Sequence, residues 1–328
     1  MPADLPPPAY VWHLPRGFPT PAVPADNPMS ESKVALGQRL FFEPRLSVTG
    51  AYSCASCHDP ARSFSDGRSL AVGATGERLP HSAMALVNVA YNVSFGWTKP
   101  DLSSLETQML EPLLNQNPVE LGLAGRESAV AGTLAADPAY ASAFAAAFPG
   151  PAPASFDHIV KAVAAFERTL ISGDSAFDRY VFGGQHDALS QAAKRGMAEF
   201  FSARAGCSAC HSGFNFSGSW RDTQGDTGKP PFAINGTSSE PLRVPTLRNV
   251  SRTAPYMHDG RFATLAAVLD HYAAMANQAR RDSHSQVDAR LRTFDLSQAE
   301  RADLIAFLES LTDPTWTNRF AAQAGAGS

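Results

Sequence analysis

Cys54-Ala55-Ser56-Cys57-His58 and Cys207-Ser208-Ala209-Cys210-His211 hold all four cysteines of the chain. A C-x-x-C spacing lets two thiols reach the two vinyl groups of one porphyrin, and the histidine that follows can turn beneath the ring as iron ligand. Zinc binding and redox disulfides are the other chemistries open to such pairs, yet a histidine placed at once after each pair is hard to explain by either. The motifs therefore read as two covalent c-type haems, on Cys54, Cys57 and His58 and on Cys207, Cys210 and His211.

The elements that must carry these motifs repeat as well. Gly37-Gln38-Arg39-Leu40-Phe41-Phe42 precedes the first motif and Gly196-Met197-Ala198-Glu199-Phe200-Phe201 the second, each G-x-x-x-F-F ending a short predicted helix. The offset is 159 residues at the glycines and 153 at the first cysteines, so the copies differ mainly in the loop between helix and motif. Ile159, Ala162, Val163, Phe166 and Leu170 recur at helical spacing and predict a helix running out at Ser172-Gly173-Asp174. Ser297-Gln298-Ala299-Glu300 is a capping box opening a last helix with a Leu304, Leu308, Leu311 stripe. Segments 12–28 and 213–241, rich in Pro, Gly and Ser, read as irregular connections. A chain of 328 residues suggests about two domains. We place them at 1–172 and 173–328, each a cytochrome c-like unit with one haem. No run of alternating strands appears, so the fold class is mainly α.

Charge and hydropathy exclude other classes. A net charge of −4 and a pI near 6.1 leave no basic footprint for nucleic acid. No run of about 18 apolar residues predicts a membrane span. The start at Met1-Pro2-Ala3-Asp4 has no basic head or apolar middle. Covalent haem attachment normally takes place outside the bacterial inner membrane, so a removed or replaced signal and a periplasmic location are expected.

Several stretches resemble the bacterial dihaem cytochrome c peroxidase and MauG superfamily. They are Leu36-Gly37-Gln38-Arg39-Leu40-Phe41-Phe42 with Pro44-Arg45-Leu46-Ser47, Ala165-Phe166-Glu167-Arg168-Thr169-Leu170, and Val244-Pro245-Thr246-Leu247-Arg248-Asn249-Val250 through Thr253-Ala254-Pro255-Tyr256 to His258-Asp259-Gly260. Within the superfamily, His81-Ser82-Ala83-Met84-Ala85-Leu86-Val87-Asn88-Val89-Ala90-Tyr91-Asn92 is similar to the methanobactin-associated dihaem enzymes, the MbnH group.

The resemblance implies different work for the two irons. The N-terminal haem, on His58, reacts with hydrogen peroxide through an open position. Peroxidases often block that position with a histidine on the following loop, but Val72-Gly73-Ala74-Thr75-Gly76-Glu77 has none, and His81 aligns beside the haem edge as a hydrogen-bonding or packing residue. Glu120 matches the distal glutamate that moves the peroxide protons, with Gln108 and Pro112 as the other distal-pocket residues. The spacing from Pro112 to Glu120 is longer than in the peroxidases. For the second haem the register places Tyr272 opposite His211, where typical peroxidases carry methionine. His271 and Met275 are its rivals as ligand. A hard phenolate oxygen favours ferric or higher-valent iron. Trp97 matches the tryptophan between the haems, which lets oxidising equivalents spread over both irons. One calcium ion is implied on the backbone of Thr253 and Pro255, with Ser82 where the family has asparagine.

Resemblance to the MbnH group implies a peroxide-dependent oxidase that converts a tryptophan to kynurenine in an MbnP-like partner protein. Ala205 stands where MauG has its surface tryptophan, so its docking route is not expected; Trp220 and Trp316 are the tryptophans available as surface relays. The alternatives are an ordinary dihaem peroxidase fed by a small redox protein, and a dihaem electron carrier with no chemistry of its own.

Overall fold

The computed structural model describes residues 10–226, 232–233, 240–281, 288, 290–291, 294–316 and 319. The start at Met1–Asp4 lies outside them, as do parts of the segment 213–241. The described chain is mainly helical: α1 (Glu31–Phe41), α2 (Leu105–Leu114), α3 (Glu127–Ala135), α4 (Pro138–Ala147), α5 (Phe156–Glu167), α6 (Ala176–Val181), α7 (Gln191–Phe200), α8 (Leu265–Arg281) and α9 (Gln298–Ser310). Two antiparallel two-stranded sheets join β1 (Arg221–Asp222) to β2 (Gly225–Asp226) and β3 (Phe232–Ala233) to β4 (Leu242–Arg243). They fall within and just beyond the segment read as irregular.

Serine side chains accept a first-turn N–H at the start of α1, α2, α5, α6, α7 and α9. The capping box expected at α9 is formed: Ser297 N donates to Glu300 Oε2 at 2.8 Å, and Glu300 N donates to Ser297 Oγ at 3.2 Å. α5 ends earlier than its periodicity suggests, at Glu167. There the chain tightens, with Thr169 N on the Phe166 carbonyl, so that Leu170 and Ser172 can bond Asn88 instead of continuing the helix.

The G-x-x-x-F-F repeat is a helix-crossing device. α1 packs across α5, and α7 across α9. At each crossing the glycine lies against the partner backbone: a Cβ on Gly37 would stand 1.9 Å from the Ala162 carbonyl oxygen, and one on Gly196 1.9 Å from that of Asp303. Nothing larger than hydrogen fits. Gly37→Ala and Gly196→Ala are each expected to cost ~1–3 kcal/mol or more by overpacking, seen as a lowered Tm of the protein; an unchanged Tm would refute the crossing role.

The two halves share a finer repeat that sequence inspection missed. Asn88 and Asn249 each adopt a left-handed conformation (φ 56° and 57°). Asn88 N donates to the Leu170 carbonyl and Asn249 N to that of Leu311, fastening each loop to the segment after α5 or α9. Asn88 Oδ1 then accepts from Ser172 N, and Asn249 Oδ1 from Asp313 N, both at 2.7 Å. The signal was the shared Asn-Val of Asn88-Val89 and Asn249-Val250, which is too short to stand out.

Buried apolar residues gather in one cluster from Leu36 to Leu170 and a second from Phe177 to Leu311. Trp316 crosses over: it is buried in the first cluster, 5.9 Å from Phe64 between ring centroids. At 1% exposure it is core and not a surface relay. Trp220 is half-buried on Phe214, with Nε1 bonded to Asp222, and Ala205 is buried at 3%. The chain after α9 returns to the first half because the Asp313 carboxylate accepts from Ser172 Oγ and from the backbone of Gly173 and Asp174.

Candidate active site

Each C-x-x-C-H segment is a tight turn in which the histidine N–H donates to the first cysteine's carbonyl, 2.9 Å in both copies. The thiols form no disulfide, and burial pushes them up, Cys57 to about 11 and Cys207 to about 12. His58 Nδ1 lies 2.9 Å from the Phe64 carbonyl and His211 Nδ1 2.9 Å from that of Phe216. With each Nδ1–H given to a carbonyl, Nε2 keeps the lone pair an iron needs. Burial holds both imidazoles below their ordinary pKa, against the raising effect of their bonds to backbone carbonyls.

Those carbonyls are aimed by strain. Phe64 and Phe216 have φ of 60° and 51°, a conformation few bulky residues adopt. Both rings are fully buried, Phe64 against Phe41 at 5.6 Å and Phe216 against Phe200 at 5.9 Å. The first phenylalanine of each G-x-x-x-F-F therefore packs on the residue that orients the histidine. Helix crossing, aromatic packing and tautomer form one chain of cause.

The loop after the first motif leads from Cys57 to Glu120. Cys57 Sγ lies 3.8 Å from the Val72 carbonyl. Gly73 is pressed on the Val119 carbonyl, where a Cβ would come within 2.0 Å. Ala74 N donates to the Glu120 carbonyl at 2.6 Å, and Leu121 N donates to the Pro112 carbonyl at 2.9 Å. Gln108 and Pro112 lie one turn apart on α2, so Gln108, Pro112 and Glu120 share one region. The Glu120 carboxyl is held above the usual carboxylate range by burial first and by the Glu111 charge second, while Lys99 acts in the opposite direction. Its charge in turn helps push up the Cys57 thiol, which places the two within electrostatic reach.

Beside Cys54 lies a carboxyl that sequence reading left unassigned. Glu167 is buried with Oε2 unpartnered, and burial pushes it up to about 8. The native state then binds one proton more than the unfolded chain between the ordinary 4.5 and about 8. Stability should fall as pH rises through that window, by at most about 1.4 kcal/mol per pH unit. Glu167→Gln is expected to flatten the fall, checked by denaturant unfolding at pH 5.5 and pH 8.5; equal slopes in both proteins would refute it.

The second motif opens on a cavity of about 1950 Å³, mouth included, lined by Cys207, Cys210, His211 and Tyr272. Of the three residues considered opposite His211, Tyr272 lines it; His271 packs on Phe262 at 4.9 Å, and Met275 is buried. The same cavity meets Trp97, Ser82, Thr253 and Pro255. Trp97 Nε1 donates to the Ser82 carbonyl at 3.0 Å. Ser82 Oγ donates to the Met257 carbonyl at 3.1 Å. His81 faces His258, 5.5 Å between centroids.

Comparison with known proteins identifies the fold. Residues 31–186 match the model of the di-haem cytochrome c peroxidase family. The methylamine utilization protein MauG of Methylorubrum extorquens is 38% identical over 295 residues, covering 88% of this chain and 80% of that protein. The chain belongs to the dihaem cytochrome c peroxidase and MauG family. The cytochrome c551 peroxidase of Pseudomonas aeruginosa is 33% identical over 300 residues, 87% of this chain and 80% of its own. A solved MauG-like protein associated with microbial copper homeostasis superposes with a TM-score of 0.87 at 34% identity, covering 94% of this chain and 97% of that one. The protein is accordingly a dihaem oxidoreductase that uses peroxide, and the family implies two c-type haems. Thiols free of disulfides, histidines whose Nδ1 is fixed on a carbonyl, and a cavity lined by Cys207, Cys210 and His211 fit such groups. No helix among the described residues is long and apolar enough to cross a membrane.

Proposed function

We propose that this dihaem enzyme is a periplasmic, peroxide-dependent oxidase that modifies a tryptophan of an MbnP-like partner protein at long range. The observation that carries the reading is Tyr272, where peroxidases place methionine, lining one cavity with His211. The likeness to the MauG-like protein associated with copper homeostasis supports the class of partner. We assign the two cytochrome c-like units to 1–172 and 173–328.

The haems supply the two-electron chemistry with peroxide and, on the second iron, a store for the oxidising power; the chain supplies proton movement and a path. The Glu120 carboxylate takes the proton from the near peroxide oxygen and returns it to the far one. Gln108 and Pro112 shape the space above His58. His211 and Tyr272 would hold the second haem, the tyrosine as a hard oxygen donor. Trp97, held by Ser82 and by its carbonyl bond to Arg243 N, would pass oxidising equivalents between the two centres. The backbone of Thr253 and Pro255, with the Ser82 hydroxyl, offers oxygen ligands for one calcium ion beside it.

The test adds stoichiometric peroxide to the ferric protein and follows the visible and near-infrared spectra. A long-lived form oxidised by two equivalents, made without prior reduction, supports the reading, as does mass-spectrometric conversion of tryptophan to kynurenine in an added MbnP-like protein. Turnover only after one haem is pre-reduced, with a small redox protein as donor, identifies an ordinary peroxidase. No reaction leaves an electron carrier.

A further inference from the structure

We infer that Arg243 binds a propionate of the haem seated in the second cavity, fixing a positive charge between that haem and Trp97. The inference rests on the second haem of the reading above.

Arg243 ends β4 and lines the cavity with His211, Tyr272 and Trp97. It is 7% exposed. Its backbone N–H donates to the Trp97 carbonyl at 2.8 Å, so the main chain ties it to the tryptophan. Its guanidinium is less well served. Nε is buried without a partner, and Nη2 lies 3.6 Å from the thioether sulfur of Met84, a weak acceptor.

The other arginines around the cavity are settled. Arg248 Nη1 lies 2.9 Å from both Asp178 oxygens, and Arg290 Nη2 lies 2.7 Å from Asp288. Arg68 is exposed to water. Arg243 forms no ion pair among the described residues. Burial alone lowers its pKa, to about 10, with no carboxylate opposing the effect. A buried charge without a counter-ion is strongly unfavourable, so such groups are kept where an anion completes them. The planar fork of N–H donors matches a carboxylate in particular. A haem brings two propionates, and a haem attached at Cys207 and Cys210 lies in this cavity. The pair would neutralise the propionate and place the guanidinium's field on the route through Trp97.

The test compares Arg243→Gln and Arg243→Lys with the wild-type dihaem protein by spectroelectrochemical titration and resonance Raman spectroscopy, after pyridine haemochrome counting. With the charge gone, an uncompensated propionate favours ferric iron, so R243Q should lower the midpoint potential of the second haem and leave the first unchanged. R243K keeps the charge but loses the fork, so it should restore the potential while shifting the propionate bending band. Two attached haems with wild-type potentials in R243Q would overturn the assignment. Where R243Q does not retain the second haem, R243K decides: a propionate band at the wild-type position overturns it, and a shifted band upholds it. A wild-type protein with a single haem would instead refute the underlying reading.

Discussion

Glu120→Gln should slow the reaction of the ferric protein with peroxide by roughly 10²–10⁴-fold while both haems stay attached. Glutamine keeps the shape and a carbonyl oxygen but cannot accept the near proton and return it. The pH dependence makes the prediction specific. A base works only when ionised, and Glu120 is held above the usual carboxylate range by burial and then by the Glu111 charge. The acid limb of the rate profile in the wild type should therefore lie above the pH of an ordinary glutamate and rise with pH. In the Gln variant the limb should vanish along with the rate. Stopped-flow mixing with peroxide across pH 4 to 8 measures both. A Gln variant with the wild-type rate and limb would remove Glu120 from the chemistry. The attachment of its loop through Ala74 and Leu121 to backbone groups makes misfolding a poor explanation of a loss, since none of those bonds uses the side chain.

Tyr272→Phe should abolish the long-lived two-equivalent oxidised form, leaving a species that decays without accumulating. Removing one oxygen atom deletes the only hard donor proposed opposite His211, and a softer or absent ligand no longer favours the higher oxidation state. The substitution keeps the ring and hence most of the packing in α8. Near-infrared absorption after one equivalent of peroxide reads the effect, and the haem count confirms that the cofactor is still present. If yield and lifetime were those of the wild type, the ligand would have to be sought elsewhere, with His271 on the same helix turned toward Phe262 as the nearest alternative. The two variants separate two functions. Glu120→Gln acts on formation of the oxidised form, and Tyr272→Phe on its persistence.

Much of this was legible in local sequence because the chemistry itself is local. Covalent attachment needs two thiols and a histidine within one turn, so the C-x-x-C-H segments declare themselves without tertiary information. The G-x-x-x-F-F repeat was equally visible, and so was the capping box at Ser297 and Glu300. Their purpose was not. That Gly37 and Gly196 exist to admit the carbonyls of Ala162 and Asp303 depends on helices far apart in the chain meeting face to face. That Phe41 and Phe200 support the strained carbonyls of Phe64 and Phe216 depends on that same crossing.

The tryptophans and charged groups mark the other boundary. Trp316 and Trp220 have the same residue type and similar polar surroundings in sequence, yet one is sealed in the opposite half of the molecule and the other packs half-open on Phe214. Arg243 and Arg248, five residues apart, look alike as letters. Tertiary structure gives Arg248 a carboxylate in Asp178 and leaves Arg243 without an ion partner among the described residues. Residue types and short spacings determined by themselves which chemistry this chain carries, because covalent and metal-ligand geometry is satisfied within a few residues. Burial and charge pairing are sums over neighbours distant in sequence, and only the folded chain decided them.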